Sequence, residues 1–218
     1  MKQFFLSRTF LYIILAIMAS TLLLPALELP WSKENYDHLM HLSGEWAVRL
    51  LVFTLLITPI RLLFPKNKFL KWALRYRRQL GIAAFAFTVA HLVIYLSYHT
   101  SFSKVLEDLG DPNYLFAWGA LLILIPLAVT SSNRSIRWLG FANWKKLHRA
   151  VYVATPLVAL HWLLKEDGNT LGPVLVHFIP LALFQAYRIY RQGRHKFPWA
   201  KKAAFINQPL NKSADKTI

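Results

Sequence analysis

The sequence predicts an all-α integral membrane protein, a bundle of six transmembrane helices with both termini in the cytoplasm. Three observations lead to this fold class. Of the 218 residues, 56% are hydrophobic, although the formal net charge is +16. The apolar residues are concentrated in six runs, each close to the roughly 17–25 residues that cross a bilayer as a helix. The charges between the runs alternate in sign along the chain, as in multi-pass membrane proteins.

The six apolar runs define the predicted helices in chain order. They are Phe10–Leu27, Trp46–Phe64, Leu80–Tyr98, Tyr114–Val129, Leu147–Leu164 and Leu171–Tyr187. No small-x-small cleavage site follows the first run, so we expect it to be retained rather than removed as a signal peptide. Residues 1–200 form one predicted transmembrane domain. Residues 201–218 form a polar cytoplasmic tail that we expect to be disordered.

The positions of the charges set the predicted orientation. The N-terminus, the connections 61–78 and 131–149 and the tail from Arg188 contain 22 of the 26 Lys and Arg residues and one acid, Asp215. The alternate connections contain three Lys residues and eight acids. Because positive charge stays on the cytoplasmic side during insertion, we place both termini there. The basic face favours contact with the lipid bilayer over nucleic acid, since no aromatic residues are interleaved with the charges.

The chain contains no cysteine. This excludes thiolate-bound iron–sulfur clusters, blue-copper sites, disulfides and haem attached through C-x-x-C-H. The sequence also lacks a Gly-rich phosphate loop and a dinucleotide-binding βαβ unit. We therefore expect the chemistry to lie between helices, with any metal held by His, Met or carboxylate groups.

Two histidines within the predicted spans are the main candidate site residues. His91 is the only Asp, Glu, Lys, Arg or His in residues 80–96, and His161 lies in a stretch without charge. Each is thirteen residues from the basic end of its predicted helix, a depth of about 20 Å at 1.5 Å per residue. Two neutral imidazoles at one depth can bind a haem iron from both faces. The alternative is a histidine that only bonds to a neighbouring helix.

His148 is a candidate second-site residue at the basic end of the fifth run. On an ideal helix it points about 140° away from His161, although Pro156 can kink the helix and reset part of that angle. It could be a further haem ligand, a partner for a propionate, part of a quinone or flavin site, or a simple interfacial histidine. Arg77 and Arg78 at the same level could bind a flavin phosphate or haem carboxylate. They could equally extend to the membrane surface.

Two further expectations concern polar residues in the spans. Glu45 and Arg49 stand one helical turn apart and are predicted to form an ion pair. Small residues precede His91, as is typical where helices pack closely or leave room for a flat cofactor. His177 in the sixth run is a candidate contact for the same cofactor.

Four segments resemble the MsrQ family, also called YedZ. They are "LLITPIRLLF" (55–64), "RYRRQLGIAAFAFTVAHLVIYL" (75–96), "LAVTSSNRSIRWLG" (127–140) and "WKKLHRAVYVATPLVALHW" (144–162). The resemblance covers residues 1 to about 200, and His91, His148 and His161 fall in the family's order and spacing. The chain is more distantly similar to the transmembrane domain of ferric reductases and NADPH oxidases.

The resemblance implies haem b held by His91 and His161, with His148 a further ligand position. It also implies bound FMN, at residues that cannot be assigned, and an electron supply from the quinone pool or a cytosolic flavin reductase. The electrons would pass to the periplasmic molybdopterin enzyme MsrP, which repairs methionine sulfoxide in oxidised proteins. The chain would be the electron-transfer subunit in the bacterial inner membrane, without catalytic residues for sulfoxide reduction.

Three other functions remain open at this point. A ferric reductase-type conduit would carry two haems, but this chain has Arg77 and Arg78 where those proteins place a histidine, which favours one firmly bound haem. A proton-coupled transporter would use the intramembrane histidines for flux. A passive membrane anchor would need no redox centre.

Overall fold

The computed structural model describes residues 7–27, 32–98, 102–165 and 170–194, and these residues form ten α-helices and no strand. In chain order the helices are α1 (Arg8–Ala26), α2 (Lys33–Leu63), α3 (Lys68–Arg75), α4 (Arg77–Tyr98), α5 (Phe102–Asp108), α6 (Pro112–Val129), α7 (Asn133–Leu139), α8 (Phe141–His148), α9 (Val151–Leu163) and α10 (Leu171–Arg194). The predicted tail, residues 201–218, lies outside the described residues.

Among the described residues, five helices are long and apolar enough to cross a membrane: α1, α2, α4, α6 and α10. The all-α, multi-pass fold class is therefore confirmed. The helix that carries His161, α9, has 13 residues. At 1.5 Å per residue it is about 20 Å long, shorter than the roughly 30 Å hydrocarbon core of a bilayer. The count of six spans and the cytoplasmic position of both termini stay predictions.

Helix α2 begins earlier than the sequence predicted, at Lys33 rather than at Trp46. The hydroxyl of Ser32 accepts a hydrogen bond from the backbone N–H of Asn35 (3.1 Å) and caps the helix. Glu34 in the first turn also favours a helix N-terminus, because its charge complements the helix dipole. The polar residues between positions 33 and 45 do not form an apolar run, which is why the prediction omitted them.

The predicted single helix Leu147–Leu164 is wrong. The chain turns at Arg149 and Ala150, so that His148 ends α8 and Val151 begins α9. The angle calculated between His148 and His161 on one ideal helix therefore does not apply. The predicted connections between runs are also partly helical, since they contain α3, α5, α7 and most of α8. Gly140 separates α7 from α8 at φ 75°, a conformation that glycine adopts without steric cost.

Helix α2 forms the centre of the bundle, packing against α1, α3, α4 and α10, while α6 packs against α9 and α4. The most deeply buried apolar side chains include Leu11 on α1 and Leu39, Leu55 and Ile57 on α2. Lipid tails are as apolar as these side chains, so in a membrane the close van der Waals packing of this core holds the helices together. The same core contains Phe87 of α4.

Helices α2 and α4 run antiparallel along their whole length. At one end the rings of Tyr36 and Tyr98 stack with centroids 3.9 Å apart. At the other end Arg77 Nη1 donates a hydrogen bond to Thr58 Oγ1 (3.3 Å). We call the first the acidic end, since Glu34, Asp37, Asp108 and Asp111 lie there, and the second the basic end.

Candidate functional site

His91 lies toward the acidic end of α4 and its ring is held by α2. Its Nδ1 is 3.0 Å from the backbone carbonyl oxygen of Met40 and 3.0 Å from the hydroxyl oxygen of Ser43. A carbonyl oxygen only accepts hydrogen bonds, so Nδ1 carries the ring proton and donates it. In the neutral ring the lone pair is then on Nε2, where a metal ion can bind.

His161 on α9 is held in the same way by α6. Its Nδ1 donates to the backbone carbonyl of Asn113 (3.0 Å). The backbone N–H of Asn113 donates to the side chain of Asp111 (2.8 Å), the N-cap of α6, which fixes this first turn. In the described part of the chain, Nε2 of neither histidine makes a hydrogen bond. A histidine whose Nδ1–H is bonded to a carbonyl while Nε2 is free is the usual arrangement of a metal ligand.

The two imidazole rings are direct neighbours. The ring centroids of His91 and His161 are 6.3 Å apart, and the ring planes make an angle of 77°. Metal–imidazole bonds are about 2 Å long, so two imidazoles on opposite sides of one metal ion have centroids roughly 6 Å apart. The structure thus brings together the pair that the sequence placed at one depth. The arrangement can hold the iron of a planar macrocycle from both faces.

Both histidines line one cavity of about 920 Å³. Cavities that hold small molecules and cofactors span roughly 300–1,000 Å³, so this one is large enough for a cofactor of considerable size. Gly81 and Ala84 of α4 also line it, whereas Ala83 and Ala90 pack against the apolar core. The small residues before His91 therefore have two functions. Some allow the helices to pack closely, and others leave room in the cavity.

The cavity continues from the histidine pair to the basic end. Seven positively charged residues line the cavity. Lys165 follows α9, which carries His161, and the other six lie toward the basic end: Arg75, Arg77, Arg78, Lys145, Arg149 and Arg188. Such a concentration of guanidinium groups favours a ligand with phosphate or carboxylate groups.

Unpartnered polar atoms lie along the same cavity. Within the described residues, four buried side-chain atoms have no hydrogen-bond partner, and all four belong to cavity-lining residues: Thr54 Oγ1, Gln79 Oε1, Asn113 Oδ1 and Arg188 Nε. Buried polar atoms are nearly always hydrogen-bonded, so each exception needs an explanation. Each of these cavity-lining residues therefore has hydrogen-bonding capacity that the described protein groups leave unused.

His148 lies at the basic end of the cavity and apart from the histidine pair. Its Nε2 is 3.1 Å from Thr130 Oγ1, and its ring centroid is 4.2 Å from that of Trp144. Burial, and then the positive charges of Arg77 and Arg78, lower the pKa of His148 below its ordinary value. The ring is thus neutral at neutral pH, the form that can bind iron. No other histidine ring contacts it among the described residues, and its role as a ligand stays a prediction.

Arg77 and Arg78 both line the cavity at its basic end. Arg77 donates to Thr58, and Arg78 Nη1 donates to Asn133 Oδ1 (2.6 Å). They stand about 20 Å along α4 from His91, at 1.5 Å per residue. They are therefore placed to contact a ligand at the basic end rather than the surroundings of the histidine pair, and their role as anion contacts stays a prediction.

At the acidic end, aromatic residues and a carboxylate lie next to the histidine pair. The hydroxyl of Tyr95, one turn beyond His91, donates to Asp108 Oδ2 (2.5 Å). Asp108 is buried, and Lys104 Nζ is 3.8 Å from its other oxygen. The ring of Tyr95 is 5.6 Å from that of Tyr114, which lines the cavity. These contacts fasten α5 and the start of α6 to α4 beside the site.

Two smaller predictions have different outcomes. The ion pair of Glu45 and Arg49 is confirmed, with Oε2 and Nη2 2.9 Å apart. His177 is not among the cavity-lining residues. Its ring instead lies 5.3 Å from that of Trp162, and its Nδ1 donates to the carbonyl of Pro173 (2.7 Å).

The residues of α2 that hold His91 were not predicted. Ser43 is fully buried against the ring, and a Cβ added at Gly44 would lie 3.2 Å from Cε1 and 3.3 Å from Nδ1 of His91. The available signal was the pair of small residues in "HLSGEW" (41–46). These two small residues could be assigned to a helix that packs on His91 only if α2 were known to begin before Trp46.

Residues 43–159 match the family described as "Ferric reductase like transmembrane component", which is more than half of the chain. The helical fold, the paired histidines between helices and this match define the class, a multi-pass membrane protein of the ferric reductase-like type. No solved structure matches the chain.

Relatives within this class are closely similar to the chain. "Protein-methionine-sulfoxide reductase heme-binding subunit MsrQ" of Rhizobium meliloti is 40% identical over 70% of this chain and 68% of that protein. The proteins of the same name from Agrobacterium fabrum and Deinococcus radiodurans are each 38% identical, over 69% and 66% of this chain and 68% and 70% of their own length. The chain belongs to the MsrQ family.

Proposed function

We propose that the chain is the haem-binding electron-transfer subunit of a protein-methionine-sulfoxide reductase system in the bacterial inner membrane. It would hold haem b between His91 and His161. The observation that carries the proposal is the pair of imidazoles 6.3 Å apart, each with Nδ1 bonded to a backbone carbonyl and Nε2 free. The names of the MsrQ relatives, which describe a heme-binding subunit, support it.

A haem bound at this pair supplies reversible one-electron transfer. The chain contributes the conditions under which that transfer occurs. The carbonyls of Met40 and Asn113 fix the tautomers and the orientation of the two rings. Hydrogen bonds from ring N–H to carbonyls also raise the basicity of the ligands. The apolar helices around the pair limit access of water and so help to set the potential.

The electrons must reach the histidine pair from the other end of the cavity. We place a second carrier, FMN or a quinone, at the basic end, near Arg77, Arg78 and His148. The support is the set of six basic residues lining that end and the unpartnered atoms of Gln79 and Arg188. A flavin phosphate is the kind of anion that guanidinium groups bind. The donor would be the quinone pool or a cytosolic flavin reductase.

The electrons would leave at the acidic end. Because positive charge stays in the cytoplasm, the basic end faces the cytoplasm and the acidic end the periplasm. The histidine pair then lies closer to the periplasmic surface. A periplasmic molybdopterin sulfoxide reductase of the MsrP type is the acceptor that this geometry favours, and repair of oxidised periplasmic proteins is the process it supports.

A two-haem conduit of the ferric reductase type is the second candidate function. The observation in its favour is that His148 lines the same cavity at its basic end, where burial and then Arg77 and Arg78 lower its pKa and so favour the neutral ring. A second haem there would need another ligand or a five-coordinate iron. The two candidate functions differ in the number of haems per chain: our proposal expects one firmly bound haem, and the conduit expects two. Measuring haem and protein in the same sample distinguishes them.

The proposal is tested on the detergent-purified full chain. We expect the Soret and α bands of low-spin haem with two histidine ligands, and haem b in a pyridine haemochrome assay. The reduced protein should be reoxidised when a periplasmic sulfoxide reductase of the MsrP type and methionine sulfoxide are added together, and not by either alone. A preparation that contains no haem would refute the proposal.

A further inference from the structure

The two histidines of the pair are held by different numbers of acceptors. His161 Nδ1 has one partner, the carbonyl of Asn113. His91 Nδ1 has two oxygens at 3.0 Å, the carbonyl of Met40 and the hydroxyl of Ser43. The hydroxyl proton of Ser43 itself points to Met40, since Ser43 Oγ donates to that carbonyl (3.1 Å). A lone pair on Ser43 Oγ is therefore available to accept from His91.

Gly44 adds a steric constraint beside these hydrogen bonds. A Cβ at this position would lie 3.2 Å from Cε1 and 3.3 Å from Nδ1 of His91. Heavy atoms of carbon normally approach to about 3.5–4.0 Å, so the imidazole ring would have to move if Gly44 carried a side chain. His91 cannot move freely, because both acceptors lie on the same turn of α2 as Gly44. The absence of a side chain at Gly44 thus determines where the ring can lie.

We infer that Ser43 and Gly44 are positioning residues for the redox centre. Ser43 increases the electron donation of His91 by sharing its Nδ1 proton, and Gly44 sets the rotation of the His91 ring relative to His161. The inference rests on the proposed haem between the two histidines. It makes the two histidines that would hold the haem inequivalent, with His91 the more strongly donating and the more rigidly held. Stronger donation stabilises the oxidised iron, so this half of the site lowers the potential of the haem.

Ser43→Ala tests the hydrogen bond. It removes one acceptor and leaves the Met40 carbonyl in place, so haem should still bind at the wild-type ratio. We expect the midpoint potential of the bound haem to become more positive than in the wild type. The matched control is Ser97→Ala, which removes a hydroxyl that donates to the Val93 carbonyl within α4, on an exposed surface (2.7 Å). That variant should keep the wild-type potential.

Gly44→Ala tests the steric contact. The expected result is a changed EPR signal of the low-spin ferric haem, which depends on the angle between the two ring planes, or conversion of part of the haem to a high-spin form. Gly119→Ala is the matched control, because Gly119 lies within α6 and among the described residues its Cβ would meet only Leu157 Cδ1, at an ordinary 3.5 Å. Gly119 is not among the cavity-lining residues. It should keep the wild-type signal.

The outcomes separate this inference from the proposed function. If the wild type binds no haem, the proposed function fails. If the wild type binds low-spin haem while Ser43→Ala keeps its potential, or Gly44→Ala keeps its EPR signal, only the assignment of that residue fails. If Gly44→Ala does not accumulate in the membrane while Gly119→Ala does, the potential of Ser43→Ala alone decides the inference.

Discussion

Tyr95 of α4 donates a hydrogen bond to the buried carboxylate of Asp108 in α5, at 2.5 Å. This contact joins a residue one turn from His91 to the short helix at the acidic end. A buried carboxylate needs compensating partners, and Lys104 Nζ lies 3.8 Å from the other oxygen of Asp108. The hydrogen bond from Tyr95 is therefore a main support of this end of the site.

Tyr95→Phe should lower the free energy of unfolding by about 1.5–3 kcal/mol, the range for hydrogen bonds to charged groups. The apolar ring would remain, so the expected loss is that of the hydrogen bond rather than of packing. Thermal unfolding of the detergent-solubilised protein measures it. Tyr187→Phe is the control, since among the described residues its hydroxyl accepts only from the exposed Arg191, at 3.4 Å. Equal midpoints for the two variants would show that the Tyr95–Asp108 contact contributes nothing.

Arg77→Gln combined with Arg78→Gln should leave the absorption spectrum of the haem between His91 and His161 unchanged. The two arginines are about 20 Å from His91 along α4. The double variant should instead lose flavin on purification, because the anion-binding charge at the basic end falls by two. Flavin and haem are quantified on the same sample. If the double variant kept its flavin and lost its haem, our placement of flavin at the basic end and haem at the histidine pair would be wrong.

His148 should lower the free energy of unfolding as the pH falls. Burial and the charges of Arg77 and Arg78 lower the pKa of His148 in the folded protein, whereas in the unfolded chain it is about 6.5. Above that value the ring is neutral in both states and has no effect. Below it the unfolded chain binds the proton first, so folding becomes less favourable as the pH falls.

We therefore expect the wild type to lose thermal stability relative to His148→Gln as the pH is lowered from 8 to about 5. The difference between the two should be constant above about pH 7, where both states are neutral. His38→Gln is the control, because His38 lies on the exposed surface of α2. A difference that is independent of pH, or that grows in favour of the wild type at low pH, would contradict the lowered pKa.

The sequence predicted the histidine pair because depth in a membrane helix can be counted from the charged end. It did not predict the break at Arg149 and Ala150, since both residues are tolerated within a helix and no glycine or proline marks an end there. The early start of α2 was missed because polar residues interrupt its apolar pattern. Ser43 and Gly44 acquire meaning only from the packing of α2 against α4, which one sequence does not show.

The role of Asn113 illustrates the same limit. The bond that fixes His161 comes from its backbone carbonyl, and any residue could supply a carbonyl. What matters is the position of the first turn of α6, set by the Asp111 cap and by the packing of α6 on α9. Sequence patterns identify the side chains that can bind a metal ion, but they do not identify the backbone groups that orient those side chains.

The most direct test is the absorption and EPR spectrum of the purified protein in three single variants, His91→Ala, His161→Ala and His148→Ala. We expect the first two variants to lose the low-spin haem signal, and the third to retain it with at most a weakened or shifted spectrum. Membrane insertion and helix content provide the control that each variant is folded. An intact low-spin spectrum in both His91→Ala and His161→Ala would show that these two histidines do not hold the haem.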